Sequence, residues 1–443
     1  MDHIKIEGGR SLRGSIPISG AKNAALPLMT LSLLTPHPVS LEGIPFLSDV
    51  QTMRHLLESL GTQSAYFHER LVLHTQNVTS CHADYDIVRK MRASILVLGP
   101  LIARCGYAKV SLPGGCALGP RLVNHHIEAL SLMGTQIDII NGYICASAPA
   151  SGLHSMQYTF PTSSVTGTMN VILAATAAKG EICIQNAAQE PEVCELIDCL
   201  LKMGAVIEGK GTSTLWIQGG YSLAGVTHHV LPDRIEIGTY MIAAALTQGE
   251  IMLQGGRIDL LPSVVDILRS MNITIEQHPE GIYVKASDKP SAFEVSTAPF
   301  PGFPTDLQAQ FMTLATLANG LSCITETIFE NRFMHVPELI RMGANITIDG
   351  PRATIVGTSA LCGAPVMATD LRASVSLILA GLIAEGTTIV RRVYHLDRGY
   401  ERIEEKLSAC GAQITRVSAQ QKPLPLEDVA SGLEQYSAIP SSF

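Results

Sequence analysis

A short motif recurs six times along this chain and constrains its architecture more than any other feature. Its instances are Leu60-Gly61-Thr62, Met133-Gly134-Thr135, Met203-Gly204-Ala205, Met271-Asn272-Ile273, Met342-Gly343-Ala344 and Cys410-Gly411-Ala412, with central positions 73, 70, 68, 71 and 68 residues apart. Gly and Asn tolerate the left-handed position just past a helix end. Apolar alternation follows, as in Ile346-Thr347-Ile348, so each instance reads as a helix stop leading into a strand. A second series, Gly106, Gly180, Gly249, Gly320 and Gly386, interleaves with the first. Each of these also closes an apolar helix ahead of an alternating strand. The unit is thus mixed helix and strand, and longer than the roughly 20–50 residues of common solenoid repeats. Six such units predict a closed or pseudo-symmetric α/β array.

Composition bounds the rest. The chain has 443 residues, 46% of them apolar and 16% charged, enough for two domains or one large repetitive one. The net charge is −8 and there is no Lys/Arg run, which argues against nucleic-acid binding, since that needs a basic surface. Ten cysteines form no Cys-x-x-Cys pair and no Cys/His cluster at zinc spacing, so no metal or other cofactor is expected. His125 and His126 are adjacent, and neighbours in a helix do not face each other. Free thiols fit a reducing compartment. The apolar runs at 94–103 and 374–384 are too short to span a bilayer, and Met1-Asp2-His3-Ile4-Lys5 is not the start of a signal peptide. A soluble cytoplasmic chain without membrane partners is expected, with residues 419–443, rich in Pro and Ser, as a peripheral, disordered tail.

Two groups of polar residues are candidates for chemistry. Cys116 lies in Leu112-Pro113-Gly114-Gly115-Cys116-Ala117-Leu118-Gly119-Pro120-Arg121, a loop composition that exposes the thiol near a cation able to lower its pKa. A nucleophile, a redox sensor and an inert thiol all fit. The other nine cysteines mostly sit among apolar residues and read as core. Each apolar helix is also preceded by a polar segment: Ser19-Gly20-Ala21-Lys22-Asn23, Arg89-Lys90-Met91-Arg92, Thr162-Ser163-Ser164-Val165-Thr166, Asp233-Arg234-Ile235-Glu236, Thr305-Asp306-Leu307-Gln308 and Thr369-Asp370-Leu371-Arg372. Capping accounts for part of this, with Thr305 and Thr369 as expected N-caps. It does not account for Lys22, Arg92 and Arg372, because cations at a helix N-terminus oppose the macrodipole. Either Lys22, Arg92, Arg121, Arg332, Arg372 and Arg398 converge as a pocket for a phosphate or carboxylate, or they are scattered salt bridges. Asp306, pinned by Pro301-Gly302-Phe303-Pro304, is an early-helix acid or a general base.

With Leu231-Pro232-Asp233-Arg234-Ile235-Glu236, Glu330-Asn331-Arg332-Phe333 and Leu396-Asp397-Arg398-Gly399-Tyr400, these segments resemble the bacterial UDP-N-acetylglucosamine 1-carboxyvinyltransferases of the enolpyruvyl transferase family, from about residue 3 to residue 416. The resemblance implies an α/β fold of two similar domains, each of three βαβαββ repeats, arranged as an inside-out barrel. It implies domains 22–231 and 1–21 plus 232–418, with crossings near Lys22 and Pro232. It implies transfer of the enolpyruvyl group of phosphoenolpyruvate to the 3-hydroxyl of UDP-N-acetylglucosamine, with loss of phosphate, as the first committed step of peptidoglycan synthesis. Cys116 then matches the proton donor to the methylene carbon, which also forms a covalent phosphoenolpyruvate adduct and is alkylated by fosfomycin. Lys22, Asn23, Arg121 and Arg398 match the phosphoenolpyruvate clamp, and Asp306 the base at the 3-hydroxyl. Arg92, Arg121, Leu122, Val123, Asn124, His125, Thr162, Ser163, Ser164, Val165 and Ile328 match the nucleotide-sugar site, and Asp370 and Arg372 the interdomain region. Two positions depart from the family pattern. Asn124 stands where an Asp is common, and Thr162 where a Lys is common. The related shikimate-pathway enolpyruvyl transferase and a catalytically inactive binding paralogue are the alternatives. The Cys116 loop argues against the first, and the intact set Lys22, Cys116, Arg121, Asp306 and Arg398 against the second.

Overall fold

The helix-stop positions take the backbone that the repeat requires. Gly61, Gly134, Gly204, Asn272, Gly343 and Gly411 all have φ between 64° and 111°. In the interleaved series Gly106, Gly180, Gly320 and Gly386 are also left-handed, but in the fourth unit the left-handed residue is Gln248, with φ 48°. Gly249 is glycine for another reason: a Cβ there would sit 2.5 Å from the Leu12 carbonyl oxygen.

The computed structural model describes residues 2–67, 70–112 and 123–418. Cys116, Arg121, Leu122 and the 419–443 tail lie outside the described residues. Among the described residues the strands form six four-stranded sheets, each a parallel pair joined to an antiparallel pair. The unpermuted unit is plain at His154–Thr159, Val165–Ala175, Lys179–Gln185, Pro191–Lys202, Val206–Glu208 and Thr214–Gln218, a βαβαββ order. The sheets alternate buried and exposed residues, as a half-buried strand must, and the long helices fill the interior. Arg234–Leu246 is buried at every position and Leu371–Ile383 at all but its ends. Helices apolar all round belong inside, so sheets surround helices.

Two hydrophobic cores result. One runs from Ala21 to Val230, the other joins Ile4–Ile16 to the 235–414 stretch, and Leu231 packs against both. The N-terminal strands are therefore displaced in sequence. Strand His3–Glu7 sits between Thr387–Arg391 and Gln413–Val417. Strand Arg13–Pro17 lies parallel to Glu250–Gln254, and Val226–His229 lies parallel to Val39–Glu42. After each of the last two strands the chain leaves its sheet for the other core. The two crossings run antiparallel, with Gly20 bridged to Pro232, Ala21 N donating to Leu231 O at 2.7 Å and Asp233 N to Ser19 O at 2.9 Å. Gly20 is required here, since a Cβ would fall 2.1 Å from the Gly43 carbonyl oxygen.

Two expectations need correction. The helix caps are Ser164, Asp233 and Asp370, which accept from backbone N–H groups of the first turn. Thr369 lies one residue too early, and Thr305 donates its hydroxyl to Glu326 at 2.8 Å instead. The core reading of the nine other cysteines holds for Cys183, Cys199, Cys323 and Cys410, whereas Cys105 and Cys362 are exposed and Cys81, Cys145 and Cys194 are half-buried. Cys105 ends the helix Leu98–Cys105, and Cys145 takes the less buried face of the alternating strand Tyr143–Ser147. Among the described residues no helix is long and apolar enough to cross a membrane.

Candidate active site in the interdomain cleft

Both crossings deliver a helix whose first residue is a cation, Lys22 for Lys22–Thr30 and Arg234 for Arg234–Leu246. Each cation meets a carboxylate of the first core's elements. Lys22 Nζ donates to Asp49 Oδ2 at 3.2 Å, and Arg234 Nε to Glu192 Oε1 at 2.9 Å across the domain boundary. Arg398, at the end of Val393–Arg398, reaches over the same boundary to Asp49 Oδ1 at 2.9 Å. Asp49 is 4% exposed. Burial alone would raise its carboxyl, but the charges of Lys22 and Arg398 outweigh that and hold it below the usual range.

Asp306 is the second anchor. Arg332 Nη2 donates to its Oδ1 at 2.7 Å and Arg372 Nη2 to its Oδ2 at 2.8 Å. Burial again opposes ionisation, and Arg372, then Arg332, with Lys22 further away, hold this carboxyl far below the usual range. Lys22, whose helix belongs to the first core, thus acts on Asp306 of the second. Arg372 is steadied by Tyr400, whose hydroxyl accepts from Nη1 at 3.4 Å and pairs with Thr239 Oγ1 at 2.9 Å. Gln310 Nε2 donates to the Asp306 carbonyl at 3.0 Å. Buried Glu326 ties two segments together, accepting from Thr305 at 2.8 Å and from the Ile328 and Phe329 backbone at 2.8 and 3.1 Å.

Among the described residues, four cations, Lys22, Arg332, Arg372 and Arg398, therefore share two carboxylates. Asp233 also acts on Arg372, so the cations belong to a dense cluster of fixed, partly shielded charges. Four of the six candidate cations thus gather in one region, each of them held in a salt bridge. Arg121 lies outside the described residues. Arg92 begins the turn Arg92–Val97 on a second flank, and its charge, after burial and His125, helps push His126 down to about 4.

That flank gathers most of the remaining candidates. Val123 precedes Asn124–Leu132, Asn124 opens it exposed, and His125 turns its ring against Phe160 at 6.1 Å. Phe160 leads into Thr162 and Ser163, and Ser164 caps the helix that Val165 begins. His126 points inward to Asn170, whose Nδ2 donates to its Nδ1 at 2.9 Å, so the two histidines do not meet on one ligand. Asn23 is half-buried beside Lys22, and Ile328 is exposed on the other domain. Sequence reading missed Asp49, which looks like an ordinary first-turn acid of Ser48–Ser59, and missed Glu192 and Glu326. Only the fold shows that Asp49 holds Lys22 and Arg398, that Glu192 holds Arg234, and that Glu326 joins Thr305 to the Ile328 and Phe329 backbone.

Comparison with known proteins shows the family. The chain matches the family EPSP synthase (3-phosphoshikimate 1-carboxyvinyltransferase) over residues 6–407. It is 56% identical over 420 residues to a UDP-N-acetylglucosamine 1-carboxyvinyltransferase of Cereibacter sphaeroides, covering 94% of this chain and 100% of the relative. The enzyme of that name from Rhodospirillum centenum is 54% identical over 433 residues, covering 94% of this chain and 99% of the relative. Among solved structures, the enolpyruvyl transferase NikO of Streptomyces tendae superposes with a TM-score of 0.84 at 24% identity, covering 95% of this chain and 99% of that one. EPSP synthase from Acinetobacter baumannii gives 0.75 at 18%, covering 94% and 100%; both show the fold alone. This chain belongs to the enolpyruvyl transferase family, among the UDP-N-acetylglucosamine 1-carboxyvinyltransferases.

Proposed function

We infer that the protein transfers the enolpyruvyl group of phosphoenolpyruvate to the 3-hydroxyl of UDP-N-acetylglucosamine, releasing phosphate, the first committed step of peptidoglycan biosynthesis. The observation that carries the chemistry is the set of four cations sharing Asp49 and Asp306 across the cleft. Lys22 and Arg398, with Asn23 and Arg121, hold the phosphate and carboxylate of phosphoenolpyruvate. Fixed cations stabilise the phosphate as it leaves without reorganising. Asp306 receives the 3-hydroxyl, and Arg92, Leu122, Val123, Asn124, His125, Thr162, Ser163, Ser164, Val165 and Ile328 take the nucleotide sugar. Cys116 supplies the proton to the methylene carbon as C2 becomes electrophilic and the acceptor oxygen adds. Loss of a methyl proton and phosphate then restores the double bond. The two cores support domain limits of 22–231 and 1–21 plus 232–418. Cytoplasmic location follows, since both substrates are cytosolic phosphorylated metabolites, and neither nucleic acid nor membrane has a part. Mass spectrometry of a reaction with both substrates should find the enolpyruvyl ether of the nucleotide sugar; its absence with active phosphoenolpyruvate present refutes the reading.

Electrophiles give a second test. Fosfomycin is expected to add mass at Cys116 and to stop turnover. Cys105, although exposed, has its thiol pushed up to about 12 by burial of the sulfur and by Cys81, so little thiolate is available. Peptide mapping that found equal labelling of Cys105 and Cys116 would remove the special reactivity of Cys116. Cys116→Ala should lose turnover, and Cys116→Asp should keep proton donation while resisting the drug.

A further inference from the structure

The two helices leaving the crossings differ at one position. Asp233, the N-cap of Arg234–Leu246, gives its Oδ1 to Ile235 N at 2.8 Å and Glu236 N at 3.0 Å. The matching N-cap of Lys22–Thr30 is Ala21, which is extended, with φ −67° and ψ 118°, but has no side chain to offer. The free N–H of Lys22 is met from the other domain, by Asp233 Oδ2 at 3.3 Å. One carboxylate thus caps two helices that start side by side where the chain passes between the two cores. It is 7% exposed.

The surrounding contacts hold that geometry in register. Buried Glu195 accepts from Leu231 N at 2.7 Å and pairs with His228 Nε2 at 3.1 Å. On the other side, buried Glu236 accepts from Ser19 N at 2.7 Å and from Lys406 Nζ at 2.6 Å. Each crossing strand is therefore gripped through a backbone N–H by a glutamate of the domain it leads into or out of. Neither glutamate reaches Lys22; Asp233 does.

We propose that Asp233 is a positioning residue for phosphoenolpyruvate, acting through the backbone of Lys22. By capping the Lys22–Thr30 helix of one domain from the other, it sets where the Lys22 ammonium and the neighbouring Asn23 lie relative to Asp49 and Arg398. The proposal rests on the reading of the cleft as an enolpyruvyl transfer site.

Asp233→Asn separates this role from folding. Asn is as good an N-cap as Asp, so its oxygen can keep Ile235 and Glu236, while its amide nitrogen meets Lys22 N–H donor to donor. The full-length variant is expected to keep its melting temperature within a few degrees and its KM for UDP-N-acetylglucosamine within about twofold, and to lose about five- to tenfold in kcat/KM for phosphoenolpyruvate, the scale of one hydrogen bond. Hydrogen exchange of the peptide containing Lys22 should quicken by a similar factor. Adding Ala21→Ser, which gives the helix its own cap, should restore both. Unchanged exchange at Lys22 in Asp233→Asn overturns the proposal, as does a loss of activity that only tracks unfolding. If the parent protein itself fails to release phosphate, the reading of the site has failed, and the exchange measurement still decides whether Asp233 caps Lys22.

Discussion

Asp306→Asn is expected to lower kcat by about 10²- to 10⁴-fold, the range for removing a positioned acid–base group, and to destabilise the fold by about 3 kcal/mol. The stability loss comes from the arginines. Arg332 and Arg372 side chains are 4% and 7% exposed, and breaking a buried pair from one side leaves a charge with no counterpart. An amide can accept from only one of them. Asp306→Glu keeps the charge, so it should recover most of the stability and little of the rate. A calorimetric scan beside steady-state kinetics separates the two; equal recovery of both would reduce Asp306 to a structural counter-ion. The carboxylate is also a weak base while both arginines bind it. It is ionised throughout the working pH range, so no acid limb from Asp306 should appear above about pH 4. Its stabilising contribution is likewise complete above the unfolded pKa of about 4, and is lost only as the pH falls from there towards the depressed folded value.

Asp49→Asn is expected to act differently. Lys22 and Arg398 carry long side chains with about 2 kcal/mol of rotamer entropy each, and Asp49 is what orders them. It also competes with the substrate anion for their charge. Removing it should therefore leave the ground-state attraction for phosphoenolpyruvate intact while the cations lose their fixed aim at the leaving phosphate. The expected result is a fall of about 10²-fold in kcat, with KM for phosphoenolpyruvate unchanged or lower. A tenfold rise in KM at constant kcat would mean that Asp49 serves binding and not the chemical step.

The contrast between these residues shows what sequence carries. The repeat was legible because a left-handed helix stop restricts the residue type, and Gly61, Gly134, Gly204, Asn272, Gly343 and Gly411 all mark one. The placement of His3–Glu7 and Arg13–Pro17 was not legible from alternation, which tells that a segment is a strand and not which strand pairs with it. Lys22, Arg92 and Arg372 stand out in the sequence as cations that capping does not explain. Asp49 and Asp233 do not, because an acid early in a helix is ordinary. Their meaning comes from partners 349 and 211 positions away in the chain, Arg398 and Lys22. Gly249 reads as a helix stop in the sequence, whereas the left-handed stop falls on Gln248 and Gly249 is a close approach to Leu12.

The acceptor distinguishes this enzyme from its shikimate-pathway relatives. Phosphate release from phosphoenolpyruvate, followed continuously with the full-length protein, is the direct measurement. Release should require UDP-N-acetylglucosamine and remain at background with 3-phosphoshikimate in its place. Release supported by 3-phosphoshikimate, or by neither acceptor, would contradict the proposed function.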